Sequence, residues 1–250
     1  MKAELRGGLL NRDLVLLLCS QIIFVSAGAM TVTMAGIVGS RLAPNSALAT
    51  LPVSFMVLGT ALAAFPAAQF MRHLGRRAGF VSAALMAVLS CGLGYWGLTL
   101  SSFSLYCAGT GTLGISLAFS QQFRFAATET VTPKQAGSAV SLLLLGSVGG
   151  AIVGPELVAR SEQIRPEGGF VGALVGAAVL FVLAAFLLSQ LSLRGKGHTA
   201  DASAQPVNVS LSTITPLVWL AIAAGVVGQG VMTFVMTATP VSMHVMEGHS

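Results

Sequence analysis

Long stretches without a charged residue are the feature that most constrains how this chain can fold. These stretches cover residues 14–40, 42–71, 78–123, 135–155, 168–193 and 202–246. A helix needs roughly 20 largely apolar residues to cross a bilayer. Each stretch therefore predicts one membrane-spanning helix, except 78–123. That stretch is long enough for two helices with a tight turn near Leu98–Ser102. In the last stretch the predicted helix runs from about Pro216 to Pro240. The sequence predicts an all-α membrane protein with seven spans.

The composition excludes several classes of protein. Only 8% of the residues are charged, whereas soluble globular proteins carry about a quarter, so a soluble enzyme or a nucleic-acid-binding protein is not expected. The three cysteines, Cys19, Cys91 and Cys107, lie in apolar stretches without a CxxC pair, which is typical of packing residues. With no catalytic constellation, nucleotide-binding loop or metal-ligand cluster, we expect no enzyme activity, no metal site and no cofactor.

Basic residues in the loops predict the orientation of the spans. With the amino terminus inside, the inner loops hold ten of them and the outer loops hold three. The inner set is Lys2, Arg6, Arg12, Arg72, Arg76, Arg77, Arg124, Lys134, Arg194 and Lys196, and the outer set is Arg41, Arg160 and Arg165. Basic loops stay on the cytoplasmic side. The bias therefore predicts a multi-pass protein of the bacterial inner membrane with a cytoplasmic amino terminus.

A faint internal repeat relates spans 1–3 to spans 4–6. Pro66 near the end of the second span has a counterpart in Pro155, 89 residues later, and the Gly79–Phe80 pair recurs as Gly169–Phe170 after 90 residues. Since each copy has three spans, the second copy enters the membrane from the opposite side, an arrangement found in transporters. The predicted domains are a six-helix bundle at 1–193, an inner linker at 194–215 and the first helix of a second bundle at 216–250.

The inner loop between spans 2 and 3 carries a recognisable motif. Here the chain resembles the major facilitator superfamily, whose signature loop is Gly-x-x-x-Asp-Arg/Lys-x-Gly-Arg-Arg/Lys. Gly75, Arg76 and Arg77 match its last three fixed positions. Arg72 stands where the family has the aspartate that joins the two halves of the protein on the inner side. The resemblance implies a fold of twelve helices, of which this chain would hold the first seven and lack the second half.

The fifth span contains a second motif built from Gly146, Gly150, Gly154 and Pro155. Glycines four residues apart form a flat face on which another helix can approach closely. Proline removes a backbone hydrogen bond and loosens the helix. The last three residues resemble the Gly-x-x-x-Gly-Pro motif of the family, which is associated with exporters without being confined to them. Ordinary helix packing is the alternative.

Polar residues on spans 1, 4 and 7 are the candidates for a substrate cavity, since the resemblance implies that these spans line one. Arg124 and Gln121, three residues apart, are expected to share a helix face, with Glu129 or Asp13 as the ionic partner of Arg124. An ionisable group inside a membrane is a functional candidate by default, although Arg124 could also reach the inner headgroups. The candidate residues are Gln21, Phe24, Thr112, Ser116, Gln121, Arg124, Gln229 and Met232.

The predicted function is secondary active transport of a small organic solute by alternating access, driven by a coupling ion. Short strings at residues 123–129, 153–160 and 235–250 resemble a proteobacterial branch of the family that includes riboflavin importers. The expected partners are the bilayer, a small-molecule substrate and an ion, with no nucleic acid. A drug–proton efflux carrier and a truncated membrane scaffold that transports nothing are the alternatives.

Overall fold

The computed structural model describes residues 11–45, 48–164, 169–192, 219–220, 223–228 and 230–231. The described residues contain seven helices before residue 193. They are α1 Arg12–Leu42, α2 Leu51–Leu74, α3 Arg76–Thr99, α4 Phe103–Ser120, α5 Phe123–Thr130, α6 Ala136–Ile164 and α7 Gly169–Ser189. The turn between α3 and α4 falls at residues 100–102, as the sequence predicts. This part of the chain contains no β-strand.

The chain divides into two compact units, Met1–Leu193 and Arg194–Ser250. In the second unit every described residue, at 219–220, 223–228 and 230–231, is helical and exposed. They lie within the predicted seventh span. Residues 193–218, which include the predicted linker, fall outside the described part of the chain.

Five of the described helices, α1, α2, α3, α6 and α7, are long and apolar enough to cross a membrane. The fourth span is built from α4 and α5 together. Eight of the 18 residues of α4 are glycine, serine or threonine. Small residues let a helix approach its neighbours closely, and α4 packs extensively on both α2 and α3.

The main helix contacts of the first unit join its two halves. Helix α2 of the first half packs on α4, the first helix of the second half, and α6 of the second half packs on α1 in the corresponding way. The third helices of the two halves, α3 and α7, pack against each other. The first unit is therefore the six-span bundle of inverted three-helix repeats that the sequence predicts.

Four aromatic rings fill the interior of this bundle. Phe24 lies 5.5 Å from Phe123 and 5.2 Å from Phe181 between ring centroids, and Phe80 lies 4.6 Å from Phe123, all edge to face. All four side chains are fully buried. Edge-to-face pairs at these distances contribute packing energy beyond the area they bury. We call these four residues the aromatic cluster, which joins α1, α3, α5 and α7.

Two local expectations need correction. The fourth span is not one helix, because α4 ends at Ser120 and α5 begins at Phe123. The Gln122 amide donates to the Phe119 carbonyl, three residues back, at 3.0 Å, which tightens the chain at this break. Helix α6 does not end at its Gly-Pro pair but continues beyond Pro155 to Ile164. Likewise α2 continues past Pro66.

Candidate functional site

The inner loop between α2 and α3 is a single-residue turn at Gly75. Its backbone has φ 86° and ψ 158°, and the residue both ends α2 and begins α3. This conformation is essentially restricted to glycine. The turn therefore explains why the motif needs a glycine at this position.

Replacing Gly75 with alanine is expected to lower the free energy of unfolding by about 1–3 kcal/mol, the usual cost of such backbone strain. A Cβ at this position meets no atom within 4 Å, so any loss comes from the backbone conformation alone. Thermal unfolding in detergent measures it. Gly92, inside α3, is the matched control, since a Cβ there also meets no atom within 4 Å, and Gly92→Ala should be neutral or slightly stabilising. Equal stability of the two variants would contradict the prediction.

The arginines of this loop have different environments. Arg76, the first residue of α3, forms a 2.5 Å ion pair with Glu129 near the end of α5. Arg72 and Arg77 are exposed, and neither has an acidic partner among the described residues. The pair to Glu129 fixes the inner end of α3 against the fourth span.

The glycines of α6 form its contact with α1. A Cβ on Gly150 would lie 2.8 Å from the Ile22 carbonyl oxygen, and one on Gly154 would overlap the Ser26 carbonyl oxygen. At Gly146 it would meet the Leu18 side chain at 2.5 Å. The motif is therefore a close packing contact between α1 and α6.

The polar residues of α1 face into the first unit. Gln21 is 6% exposed, and its Nε2 donates to the Ser147 hydroxyl on α6 at 2.9 Å. Phe24 belongs to the aromatic cluster. The structure therefore places both candidates between helices of one bundle and not on its outer surface. Ser147 was missed by sequence reasoning, although its position next to Gly146 in the glycine motif was a usable signal.

The two hydroxyl candidates on α4 are bonded to backbone carbonyls. Ser116 is fully buried and donates to the Ala83 carbonyl of α3 at 2.7 Å. Thr112 is half-buried and donates to the Ala108 carbonyl of its own helix at 2.8 Å. Ser116 therefore joins α3 to α4, whereas Thr112 keeps acceptor lone pairs for another donor.

Gln121 and Arg124 lie at the break in the fourth span, and both are exposed. Gln121 is in the turn and Arg124 is in the first turn of α5, so they lie in neighbouring elements and not in one continuous helix. The expected ionic partners of Arg124 are engaged elsewhere. Glu129 pairs with Arg76, and the buried carboxylate of Asp13 accepts hydrogen bonds from the Ser192 amide and hydroxyl at 3.1–3.2 Å. Among the described residues, Arg124 forms no ion pair.

Two of the candidate residues, Gln229 and Met232, lie outside the described residues. In the part of the chain that the structure describes, no group of three histidine, cysteine or acidic side chains is arranged to hold a metal ion. Of the candidate residues that the structure describes, Gln121 and Arg124 at the break are exposed and Thr112 is partly exposed.

Comparison with known proteins identifies relatives along nearly the whole chain. It is 36% identical over 243 residues, 96% of its length, to the riboflavin transporter RfnT of Brucella anthropi. It is 24% and 27% identical to the MFS-type transporters YddS and YdeG of Bacillus subtilis, over 96% and 74% of its length. The chain spans 60%, 58% and 44% of these three relatives. No protein-family model matches the chain.

These similarities confirm the expected resemblance to the major facilitator superfamily, including the branch with riboflavin importers. All three relatives are named as transporters, and none is named as an enzyme. Together with the helices of the first unit, they indicate a multi-pass membrane protein that is similar to these transporters.

Proposed function

We propose that this chain forms the amino-terminal part of a secondary transporter that takes up riboflavin by alternating access. The observation that carries the proposal is its 36% identity to a named riboflavin transporter over 96% of the chain. The transporter would lie in the bacterial inner membrane with a cytoplasmic amino terminus, since ten basic residues fall in the inner loops and three in the outer. We further propose that a coupling ion drives transport and that a second helix bundle completes the transporter.

The break in the fourth span supports a binding site at this position. Transporter sites are often formed by interrupted helices. Gln121 is exposed in this break, so it is not covered by protein within the first unit. We therefore propose that the break lines the substrate pathway.

The side chains at the break have the chemistry that a flavin requires. The isoalloxazine ring of riboflavin presents carbonyl oxygens and ring nitrogens as hydrogen-bond acceptors, and it offers a flat aromatic face. The Arg124 guanidinium carries five N–H donors and can also stack on such a ring. Gln121 adds an amide donor, and Thr112 lies on α4 before it. We propose Arg124 as the main binding group, with Gln121 as its neighbour.

Replacing Arg124 with glutamine is expected to weaken riboflavin uptake by about tenfold or more, since a hydrogen bond to a charged group contributes about 1.5–3 kcal/mol. The effect should appear mainly as a higher KM. Initial rates of radiolabelled riboflavin uptake at several concentrations measure it.

Lys134→Gln is the matched control, because Lys134 is an exposed cation beside α6 that we assign no role in binding. It removes one inner-side charge and should leave KM unchanged. An unaltered KM in Arg124→Gln, with normal membrane levels of the protein, would remove Arg124 from the binding site.

A growth assay tests the function itself. The natural gene that encodes this chain should allow a riboflavin-requiring bacterial host to grow on low external riboflavin, and an uncoupler of the ion gradient should abolish uptake. Deleting the gene from its own host should lower cellular riboflavin without changing drug resistance. The opposite pattern, drug sensitivity with unchanged riboflavin, would favour the efflux alternative. Confirmed membrane expression with neither effect would contradict transport.

A further inference from the structure

We infer that the first unit binds a buried water molecule in a cavity between α1, α3, α4 and α7. The cavity has a volume of about 20 Å³. Its polar lining comes from Thr31 on α1, Ser90 on α3, and Tyr106 and Thr110 on α4. A cavity that holds water needs roughly 10–15 Å³ and two to four polar partners, so this cavity meets both conditions.

Tyr106 provides the strongest indication. Its side chain is only 2% exposed, and its hydroxyl has no hydrogen-bond partner among the described residues. Buried tyrosine hydroxyls are normally bonded, because an unpaired polar group loses its hydration without compensation. A water molecule in the cavity that this residue lines would accept a hydrogen bond from the phenolic hydroxyl.

The other three hydroxyls are prepared as acceptors. Thr31 donates to the Ala27 carbonyl at 2.9 Å, Ser90 to the Ala87 carbonyl at 2.8 Å, and Thr110 to the Cys107 carbonyl at 2.9 Å. Each hydroxyl therefore donates its only hydrogen bond within its own helix, and its oxygen keeps lone pairs that can accept another. A water molecule that accepts from Tyr106 has two protons to donate to this set.

A neighbouring cavity does not meet the two conditions of volume and polar partners. The cavity beside Ser26 has a volume of about 10 Å³, and Ser26 is its only polar lining residue. The Ser26 hydroxyl is also buried without a partner, but the space is at the lower limit for a water molecule and offers it one polar partner where two to four are needed. The inferred site is therefore specific to the Tyr106 cavity.

The inferred site is separate from the proposed substrate pathway. Tyr106 lies near the beginning of α4, and Gln121 follows the end of that helix. Fifteen residues of α-helix correspond to about 22 Å. The water would join α1 and α3 of the first repeat to α4 of the second at the end of the bundle opposite the break.

Hydroxyl-radical footprinting with X-rays tests the inference on the purified full chain. Radiolysis of a bound water produces radicals beside it, and methionine sulfur reacts readily with them. Met34 lines the cavity and is 1% exposed, whereas Met71 on α2 is 6% exposed and lies outside it. We expect Met34 to be oxidised faster than Met71 despite its deeper burial. An equal or slower rate at Met34 would overturn the inference.

Two tyrosine variants then identify the binding group. Tyr106→Phe keeps the ring but removes the donor, so the Met34 oxidation rate should fall to the Met71 rate. Tyr95→Phe removes a hydroxyl that does not line this cavity and should leave the Met34 rate unchanged. A Met34 rate that Tyr106→Phe does not alter would overturn the inference, whatever the result of the riboflavin assays.

Discussion

Replacing Phe24 with alanine is expected to lower the free energy of unfolding of the first unit by about 3–5 kcal/mol, the usual cost of truncating a buried phenylalanine. The ring is fully buried and forms edge-to-face contacts with Phe123 and Phe181. Its removal leaves a cavity between α1, α5 and α7. In a membrane, where apolar side chains gain little from leaving the lipid, such packing contacts are a main source of helix association. Thermal unfolding of the purified chain in detergent measures the loss.

Phe186 provides a matched control for this variant. It lies on α7 but is 59% exposed, so Phe186→Ala removes the same group from the surface of the same bundle. Its effect should be well below that of Phe24→Ala. Equal losses of stability in the two variants would mean that the aromatic cluster is not a main determinant of the fold. If Phe24→Ala lowered riboflavin uptake without lowering stability, Phe24 would instead be a residue of the substrate site.

The number and order of the spans could be predicted because charged residues interrupt the apolar stretches. A charge within a span is costly, so Arg41 and Arg72 lie in the last turns of α1 and α2, and Lys134 lies just before α6. The repeat could also be predicted, because Pro66 and Pro155 occupy corresponding places in α2 and α6. In both helices the chain continues past the proline for about two turns, which the sequence did not indicate.

The side of the helix on which each residue lies could not be predicted in the same way. A span that is apolar all around shows no amphipathic pattern to separate the face toward its neighbours from the face toward lipid. Phe24 and Gln21 therefore looked like candidates for a ligand cavity, although both contact other helices of the bundle. The partner of Gln21, Ser147, lies 126 residues away, and only the folded chain brings the two together.

Ionic partners were mispredicted for a related reason. Arg124 and Glu129 are close in sequence, but residues five apart on a helix point in directions about 140° apart. Glu129 consequently faces Arg76 on α3 and leaves Arg124 exposed. This separation gives the two arginines different expected roles, since one fixes the loop motif to the fourth span and the other is free to meet a ligand.

The repeat has a consequence for the two crossings that hold its halves together. Helix α6 crosses α1 at Gly150 and Gly154, and α2 crosses α4 at Gly59 in the corresponding way. In each crossing a carbonyl oxygen of the partner helix occupies the space of a missing Cβ. A side chain can rotate away from such an overlap, but a helix backbone cannot, so these positions should tolerate substitution least.

Replacing Gly154 with alanine is therefore expected to lower the free energy of unfolding by about 3 kcal/mol, the upper end of the usual overpacking cost. The added methyl group would overlap the Ser26 carbonyl oxygen and force α6 away from α1. The pseudosymmetric variant Gly59→Ala should have an effect of similar size, because its Cβ would overlap the Gly111 carbonyl oxygen of α4. The yield of monodisperse protein and its thermal unfolding temperature in detergent measure both effects.

Gly149, five residues before Gly154 on α6, is the matched control. It is exposed, and a Cβ there meets no atom within 4 Å. Gly149→Ala should therefore keep or slightly raise stability, since alanine favours helix over glycine by about 1 kcal/mol. If Gly154→Ala were as stable as Gly149→Ala, the close crossing of α1 and α6 would be refuted. A loss at Gly154 without one at Gly59 would instead mean that the two repeats pack differently despite their shared architecture.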